Sequence, residues 1–196
     1  MSIAETARRS IGSTRNPATE EAIVVAATEL LAESGYGGFS IEAVARRAKA
    51  GKPTIYRWWP SKAHLLLDVY QRLKDVDMVE PDTGTLEGDL VAFLTNLADF
   101  WDGTPGRIFC SLVAEAQTDA TAAAALSAYT TDRVAHTSGM FERARARHEL
   151  RPDADSLAAS DLLSAFAWKL VLTGRLKNQE TRIEAVARTM AHGLLA

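Results

Sequence analysis

Apolar residues recur along most of the chain at intervals of three and four, the spacing that lines one face of an α-helix. The pattern predicts helices over about residues 17–34, 40–48, 52–59, 61 to the upper seventies, 86–101, 106–117, 119–148, 153–174 and 178–195. No stretch alternates between apolar and polar positions as a β-strand does, and no segment repeats. The sequence therefore predicts an all-α protein.

The stretch from Ser40 to Trp59 has the pattern of two short helices joined by a tight turn. Ser40 is suited to cap the first helix. The apolar face of that helix consists of Ile41, Val44, Ala45 and Ala48. Gly51 interrupts the pattern and can act as a weak cap, and Pro53 then falls in a first turn, where its missing N–H is tolerated. The second helix therefore follows the first after a break of about three residues.

The second of these helices has two chemically different faces. Ile55 and Trp59 are four residues apart, so both can pack inward. The opposite face is basic and aromatic and consists of Lys52, Pro53, Tyr56 and Arg57. Pro60 ends the helix, Ser61 is suited to cap the next one, and Lys62 lies in that next helix's first turn. Because a helix dipole is positive at this end, a lysine there favours an anion from outside the chain.

Residues 48–62, AKAGKPTIYRWWPSK, resemble the helix-turn-helix signature of TetR-type transcriptional regulators, and the similarity extends back through residues 19–39. The resemblance implies that the second helix enters the DNA major groove and that Tyr56 and Lys62 hold phosphates. The DNA-binding residues predicted in this way are Lys49, Lys52, Pro53, Thr54, Tyr56, Arg57, Trp58 and Lys62. A purely structural role accounts for buried Ile55 and Trp59, but not for the outward basic and aromatic face.

The position of Lys49 departs from the family pattern, which usually has glycine there in a turn that favours positive φ. Two interpretations are open: Lys49 strains the turn slightly, or it adds a phosphate contact. In the resembling family the second aromatic residue of the segment 36–39, here Phe39, wedges between helices, so we expect Phe39 in the core.

The resemblance divides the chain into three parts. Residues 1–16 are expected to form a flexible arm, residues 17–60 a three-helix helix-turn-helix DNA-binding domain, and residues 61–196 a helical effector-binding and dimerisation domain. Within the arm, Arg8, Arg9 and Arg15 either contact phosphates or a minor groove, or belong to a solvated tail without a role. The expected partners are a double-stranded DNA operator, an unknown small-molecule effector and a second copy of the chain.

The charge distribution agrees with a DNA-facing first third. The net charge of the whole chain is −3, which by itself does not suggest a nucleic-acid partner. Residues 1–62, however, contain nine Lys/Arg and six Asp/Glu, whereas residues 63–196 contain thirteen Lys/Arg and nineteen Asp/Glu. A basic end followed by an acidic remainder is compatible with operator binding through the first part.

The C-terminal part is rich in large apolar side chains that suit the lining of a small-molecule cavity. The candidates are Phe93, Leu97, Phe100, Trp101, Phe109, Met140, Phe141, Phe166 and Trp168. A plain hydrophobic core explains the same pattern, and the family resemblance is what favours a cavity. The run Arg143, Arg145, Arg147 is typical of a solvated face.

The helix near residues 153–174 is apolar and rich in small residues on more than one face, so we expect it to pack on two sides. In TetR-type proteins the final two helices pair with their copies in a four-helix bundle. We therefore predict a homodimer through residues after about 153, with Ala158, Leu162, Ala165 and Phe166 in the interface.

The residues of an enzyme site are missing from the sequence. There is no Gly-rich phosphate loop, no zinc-ligand spacing and no nucleophile elbow, and the four histidines are scattered. Cys110 is the single cysteine and is expected to be a small buried hydrophobe. We expect no catalytic activity, no cofactor and no metal. The N-terminus lacks the apolar core of a signal peptide and no apolar run reaches membrane-spanning length, so a cytoplasmic protein without membrane contact is predicted.

Together these observations predict a ligand-responsive DNA-binding transcriptional regulator, a repressor released from its operator by a small hydrophobic molecule. The alternative is a helical ligand-binding or protein-interaction module that does not use its DNA-binding motif. Salt-sensitive binding to DNA upstream of its own gene distinguishes the two.

Overall fold

The structure, a computed structural model, describes residues 16–77 and 80–194. Within those ranges the chain forms nine helices and no strand, as the hydrophobic pattern predicts. They are α1 (Pro17–Gly38), α2 (Ile41–Arg47), α3 (Lys52–Trp58), α4 (Lys62–Asp77), α5 (Leu86–Trp101), α6 (Thr104–Ala116), α7 (Ala120–Ala146), α8 (Ser156–Leu172) and α9 (Glu180–Leu194). The predicted arm, with Arg8, Arg9 and Arg15, lies outside the described residues.

Helix α1 begins at a cap that the sequence pattern did not single out. The side chain of Asn16 accepts a hydrogen bond of 3.0 Å from the backbone N–H of Ala18, and Pro17 occupies the first turn. The helix was predicted to end at Gly35. Gly35 indeed leaves helical geometry, with φ 61° and ψ −168°, but helical residues continue to Gly38 after this kink. Phe39 follows and is buried, as expected.

Helices α1, α2 and α3 form a small bundle at one end of the protein. The Ser40 hydroxyl caps α2 by accepting a hydrogen bond of 3.1 Å from Ala43 N–H. Ile55 is fully buried and Trp59 is 3% exposed, so the inner face of α3 is the predicted one. Arg47 at the end of α2 donates two hydrogen bonds, of 2.8 and 2.7 Å, to Glu33 of α1.

Helix α4 joins this bundle to the remaining helices. It packs against α1 on one side and against α6 and α7 on the other. Arg72 of α4 bonds to Glu20 of α1 at 2.5 Å, and the Trp59 indole N–H donates to Asp68 of α4 at 2.9 Å. Fully buried Tyr70 lies on the α6 and α7 side, where its ring contacts Phe109 and Tyr129. A displacement of α4 therefore necessarily moves contacts at both ends of the molecule.

The second group of helices is built around α5, which packs on α6, α7, α8 and α9. Helix α6 begins at Thr104, about two residues before the predicted start. Gly103 lies at its cap position and Pro105 in its first turn, an arrangement that suits proline. Gly106 is obligatory here, because a Cβ atom at this position would lie 2.1 Å from the Trp101 carbonyl oxygen.

The run Arg143, Arg145, Arg147 does not form the solvated face predicted for it. Arg143 donates to the Pro81 carbonyl at 2.8 Å, Arg145 donates to the Ala154 carbonyl at 2.5 Å, and Arg147 pairs with the fully buried Asp89 carboxylate at 3.2 Å. These contacts tie the end of α7 to the loop before α5, to α5 itself and to the loop before α8. A buried carboxylate requires such a partner because its desolvation is costly.

Candidate nucleic-acid interface and ligand cavity

The outer face of α3 is open to solvent. Lys52, Pro53, Tyr56 and Arg57 are exposed, and Tyr56 retains 48% of its accessible surface. Thr54 is half-buried, and so is Trp58, whose ring meets the Trp59 ring edge-on at 5.8 Å between centroids. The helix is therefore held from beneath by Ile55 and Trp59, while its basic and aromatic side chains point outward. An exposed large aromatic beside two cations is a surface that suits a phosphate backbone.

Lys52 has an intramolecular partner on this face. Its ammonium lies 2.9 Å from the Glu42 carboxylate of α2, and the hydrogen bond raises the pKa of Lys52. Both side chains are about half exposed, at 52% and 57%, and a surface ion pair of this kind contributes little to stability. The pair can therefore open at small cost when a stronger anion approaches.

Lys49 adopts the left-handed backbone conformation, with φ 52°. Its side chain is exposed, next to the turn between α2 and α3. The turn thus has the conformation that favours glycine, as expected from the family pattern, and a non-glycine residue is held there at some cost. This geometry is compatible with both interpretations of Lys49.

Lys62 lies in the first turn of α4, but its ammonium faces the protein. Its Nζ atom lies 3.6 Å from the centre of the Tyr36 ring and 5.7 Å from that of Phe39. Burial lowers the pKa of Lys62, although the charge of Glu115 acts in the opposite direction. In the single chain the ammonium contacts two aromatic faces, which attract a cation through the ring quadrupole. The sequence pattern gave no sign of this contact, because Tyr36 belongs to another helix.

A cavity of about 250 Å³ lies between helices α4 to α8. Five of the predicted ligand-binding residues line it: Phe93, Leu97, Trp101, Phe109 and Trp168. The other four do not line this cavity. Phe100, Met140 and Phe141 are buried in the surrounding core, and Phe166 is half-buried against it.

Three of the aromatic rings that line the cavity, those of Phe109, Trp101 and Trp168, contact one another and are called the cavity floor here. Trp101 stacks on Phe109 at 5.1 Å between centroids and Trp168 meets it edge-on at 5.0 Å. The Trp101 indole N–H is already used, because it donates to the buried Tyr70 hydroxyl at 2.9 Å. The floor therefore offers mainly ring faces and edges.

Polar residues at the rim of the cavity were missed by the sequence reasoning. They are Lys74, Thr130, Arg133, Thr137, Asp161 and Ser164. Part of the signal was present, since Tyr129, Arg133 and Thr137 are spaced by four and share one face of α7. That spacing could not show which face would border a cavity. The rim gives the cavity two basic side chains and one carboxylate.

Comparison with known proteins decides the family. Residues 23–69 match the bacterial regulatory proteins of the tetR family, and residues 80–190 match the family described as "Tetracyclin repressor-like, C-terminal domain". The chain belongs to the TetR family. The N-terminal match contains α2, α3 and the first half of α4, and the C-terminal match contains every residue that lines the cavity except Lys74.

Individual relatives agree with this assignment over most of the chain. An uncharacterized HTH-type transcriptional regulator, YdeS of Bacillus subtilis (strain 168), is 32% identical over 165 residues, 83% of each protein. The DNA-binding transcriptional repressor TetR of Mycobacteroides abscessus is 29% identical over 167 residues, 83% of this chain and 87% of that protein. The crystal structure of the TetR family transcription regulator SCO0332 has a TM-score of 0.78 and 30% identity, covering 91% of this chain and 99% of its own.

As a TetR-family member, the chain is a DNA-binding transcriptional regulator, a class without catalytic activity. This overrides the alternative of a helical module that does not use its motif. Members of the family bind operator DNA as dimers. Across residues 16–77 and 80–194, no helix combines the length and apolar character needed to cross a bilayer.

Proposed function

We propose that this TetR-family regulator is a homodimeric repressor that binds its operator through α3 and is released by a small hydrophobic molecule in the cavity. The observation that carries the DNA-binding part is the orientation of α3. Buried Ile55 and Trp59 fix the helix in the core, so its basic and aromatic face stays exposed in one defined direction. A preorganised face of this kind loses little entropy on binding.

The proposed DNA contacts divide into base-reading and phosphate-holding residues. Arg57 lies on the outer face of a helix suited to the major groove, where a guanidinium can bond to base edges. Lys52, Pro53, Thr54 and Trp58 lie on the same helix as further proposed DNA contacts, and Tyr56 is proposed to hold a phosphate. Lys49 and Lys62 flank the helix and are proposed to hold phosphates. To bind a phosphate, the Lys62 ammonium has to turn away from the Tyr36 ring or extend past it.

The proposed dimer interface is the outer face of α8. Leu157, Leu162 and Leu172 are 53%, 66% and 46% exposed, which is unusual for leucines on one helix. Ala158 and Ala165 are exposed between them, so a second helix can approach closely. Phe166, also predicted for this interface, is half-buried. A second copy of α8 would remove these leucines from water, and the two-fold axis would place two α3 helices for adjacent major grooves.

The proposed response to a ligand runs through α4 and α6. We propose that residues 17–60 bind DNA and that residues 61–196 bind the effector and dimerise. Helix α4 begins at the boundary and contacts both units, and α6 carries Phe109 in the cavity floor. A ligand that prefers a different position of these helices would change the spacing of the two α3 helices and weaken DNA binding.

Selection of genomic fragments bound by the full-length protein tests the proposal and supplies an operator. The bound fragments should share a two-fold symmetric sequence, and affinity for it should fall steeply with salt. Arg57→Ala should reduce the preference for that sequence over a scrambled duplex, whereas Arg175→Ala, on the exposed loop after α8, should leave it intact. Failure to enrich any sequence, or equal behaviour of the two variants, would contradict α3 as the reading helix.

A further inference from the structure

The cavity rim carries an excess of positive charge over an aromatic floor. Lys74 comes from α4 and Arg133 from α7, and the carboxylate among the lining residues is that of Asp161 on α8. Among the lining residues, two basic side chains therefore accompany one carboxylate, while Asp132, which pairs with Arg133, lies outside the lining.

The intramolecular partner of Arg133 is weak enough to be displaced. Arg133 bonds to the adjacent Asp132 at 2.9 and 3.3 Å, and the Asp132 side chain is 64% exposed. Neighbouring residues on a helix do not face each other, and exposed pairs contribute little to stability. A ligand carboxylate that reaches the rim offers the guanidinium a bidentate partner in a less hydrated place.

A hydroxyl in the wall adds a directional contact. Thr137 is 6% exposed and lines the cavity one helical turn beyond Arg133. Its hydroxyl forms no hydrogen bond with any residue that the structure describes. A ligand oxygen at this position would give the hydroxyl a hydrogen-bond partner inside the cavity.

From these groups together we infer that the cavity takes a planar aromatic molecule carrying a carboxylate. The ring lies against the aromatic side chains that line the cavity, and the carboxylate lies between Lys74 and Arg133. The volume of about 250 Å³ corresponds to the space of about eight water molecules, at roughly 30 Å³ each, which is enough for one or two fused rings. This inference rests on the proposed function for the existence of an effector site, and it specifies the chemical class that the site accepts.

The test compares three probes of nearly equal shape on the full-length protein: naphthoate, naphthamide and naphthylmethylammonium. Trp101 and Trp168 lie in the floor, so quenching of tryptophan fluorescence reports binding, and calorimetry gives the affinity. Naphthoate should bind about tenfold or more tightly than naphthamide, and the cation should bind weakest. Equal affinities, preference for the cation, or no binding of any probe would overturn the inference, and this comparison needs no variant.

Variants identify the side chains that cause the preference for a negatively charged ligand. Arg133→Gln and Lys74→Met should each reduce naphthoate affinity about tenfold and leave naphthamide within about twofold. Asp161→Asn should strengthen naphthoate binding. Arg175→Gln, which changes an exposed arginine away from the cavity, is the matched control and should change neither affinity. A preference for naphthoate that survives both rim substitutions would also overturn the inference. Thermal unfolding of each variant checks that the fold is kept.

Operator binding separates this inference from the proposed function. If naphthoate binds with the expected charge preference but leaves operator affinity unchanged, the ligand class stands and ligand release of the operator fails. If another class of molecule releases the operator while the naphthoate series does not bind, ligand release of the operator stands and the inferred ligand class fails.

Discussion

The Tyr36 hydroxyl donates a hydrogen bond to the Glu115 carboxylate, which joins the end of α1 to the end of α6. The same tyrosine ring lies under the ammonium of Lys62 at the start of α4. Because α6 also carries Phe109 in the cavity floor, one helix contacts both the cavity and the residues next to α3. Tyr36, Lys62 and Glu115 thus form a direct connection between the two ends of the molecule.

A double-mutant cycle measures this connection. Tyr36→Phe keeps the ring under Lys62 but removes the hydroxyl, and Glu115→Ala removes its acceptor. We expect the two changes to be non-additive in the free energy of unfolding by about 1 kcal/mol, because either one alone breaks the same bond. Denaturant titration of the four proteins gives the value. As a control, Glu87 belongs to a distant surface ion pair, so the effects of Tyr36→Phe and Glu87→Ala on the free energy of unfolding should be additive. Additivity in both cycles would show that the hydrogen bond between Tyr36 and Glu115 contributes nothing to stability.

Arg57→Ala and Lys62→Ala should weaken operator binding in different ways. Loss of a guanidinium at a base edge reduces discrimination among bases by about 1–3 kcal/mol. Loss of a phosphate contact should instead weaken all sequences equally and reduce the salt slope by about 0.9 per contact, so about twice that in a dimer. Affinities for operator and scrambled duplex at several salt concentrations distinguish these effects. An unchanged salt slope for Lys62→Ala would mean that its ammonium stays on the Tyr36 ring in the complex.

Lys49→Gly tests the strained turn between α2 and α3. Glycine adopts positive φ without a Cβ clash, so the free energy of unfolding should rise by up to about 1 kcal/mol. We also expect a shallower salt dependence of operator binding, by about 0.9 per site, because an exposed phosphate-holding cation is lost. Lys177→Gly, at an exposed lysine in the loop after α8, is the control and should not change the salt dependence. A stabilised variant with unaltered DNA binding would leave backbone strain as the sole effect of Lys49.

Leu162→Asp should convert the dimer to a monomer. The side chain is 66% exposed in the single chain, and a carboxylate there would be buried against its own copy near the two-fold axis. Sedimentation at micromolar concentration should give the 21.2 kDa monomer for this variant and twice that mass for the wild type. Val25→Asp, at an exposed apolar position on α1, should remain dimeric. A monomeric wild type would refute the α8 interface directly.

Stability should fall with rising pH above about 10, partly because of Tyr70. Burial, foremost, and then the neighbouring Tyr129 raise the pKa of Tyr70 well above its ordinary value of 10.0. Above about pH 10 the unfolded chain loses the phenolic proton while the folded chain keeps it. Each further pH unit therefore lowers the free energy of unfolding by up to about 1.4 kcal/mol per such group. The contribution is fully present below about pH 10 and is lost as pH rises toward the folded-state pKa.

Tyr70→Phe isolates this effect. The variant loses the acceptor of the Trp101 indole N–H and should be less stable at every pH, but its free energy of unfolding should decline less steeply above pH 10 than that of the wild type. Tyr56→Phe, at an exposed position, should keep the wild-type slope. Parallel slopes for Tyr70→Phe and wild type would contradict retention of the Tyr70 proton in the folded state.

The sequence by itself determined the helices and the orientation of α3. The three-and-four spacing of apolar residues records which face of each helix is buried, and the capping residue Ser40 and the first-turn Pro53 mark helix starts through local chemistry. Because Ile55 and Trp59 share the apolar face, the exposure of Tyr56 and Arg57 followed without knowledge of any other helix.

The tertiary structure alone decided the contacts between helices. Periodicity identifies a buried face but not its partner, so it could not place Tyr36 under Lys62 or Asp89 beside Arg147. For the same reason it could not separate Phe109, which lines the cavity, from Phe141, which fills the core, since both lie on apolar faces. The partner of each buried face depends on how helices far apart in sequence pack together. Side-chain volume and charge pairing across those contacts determine that packing.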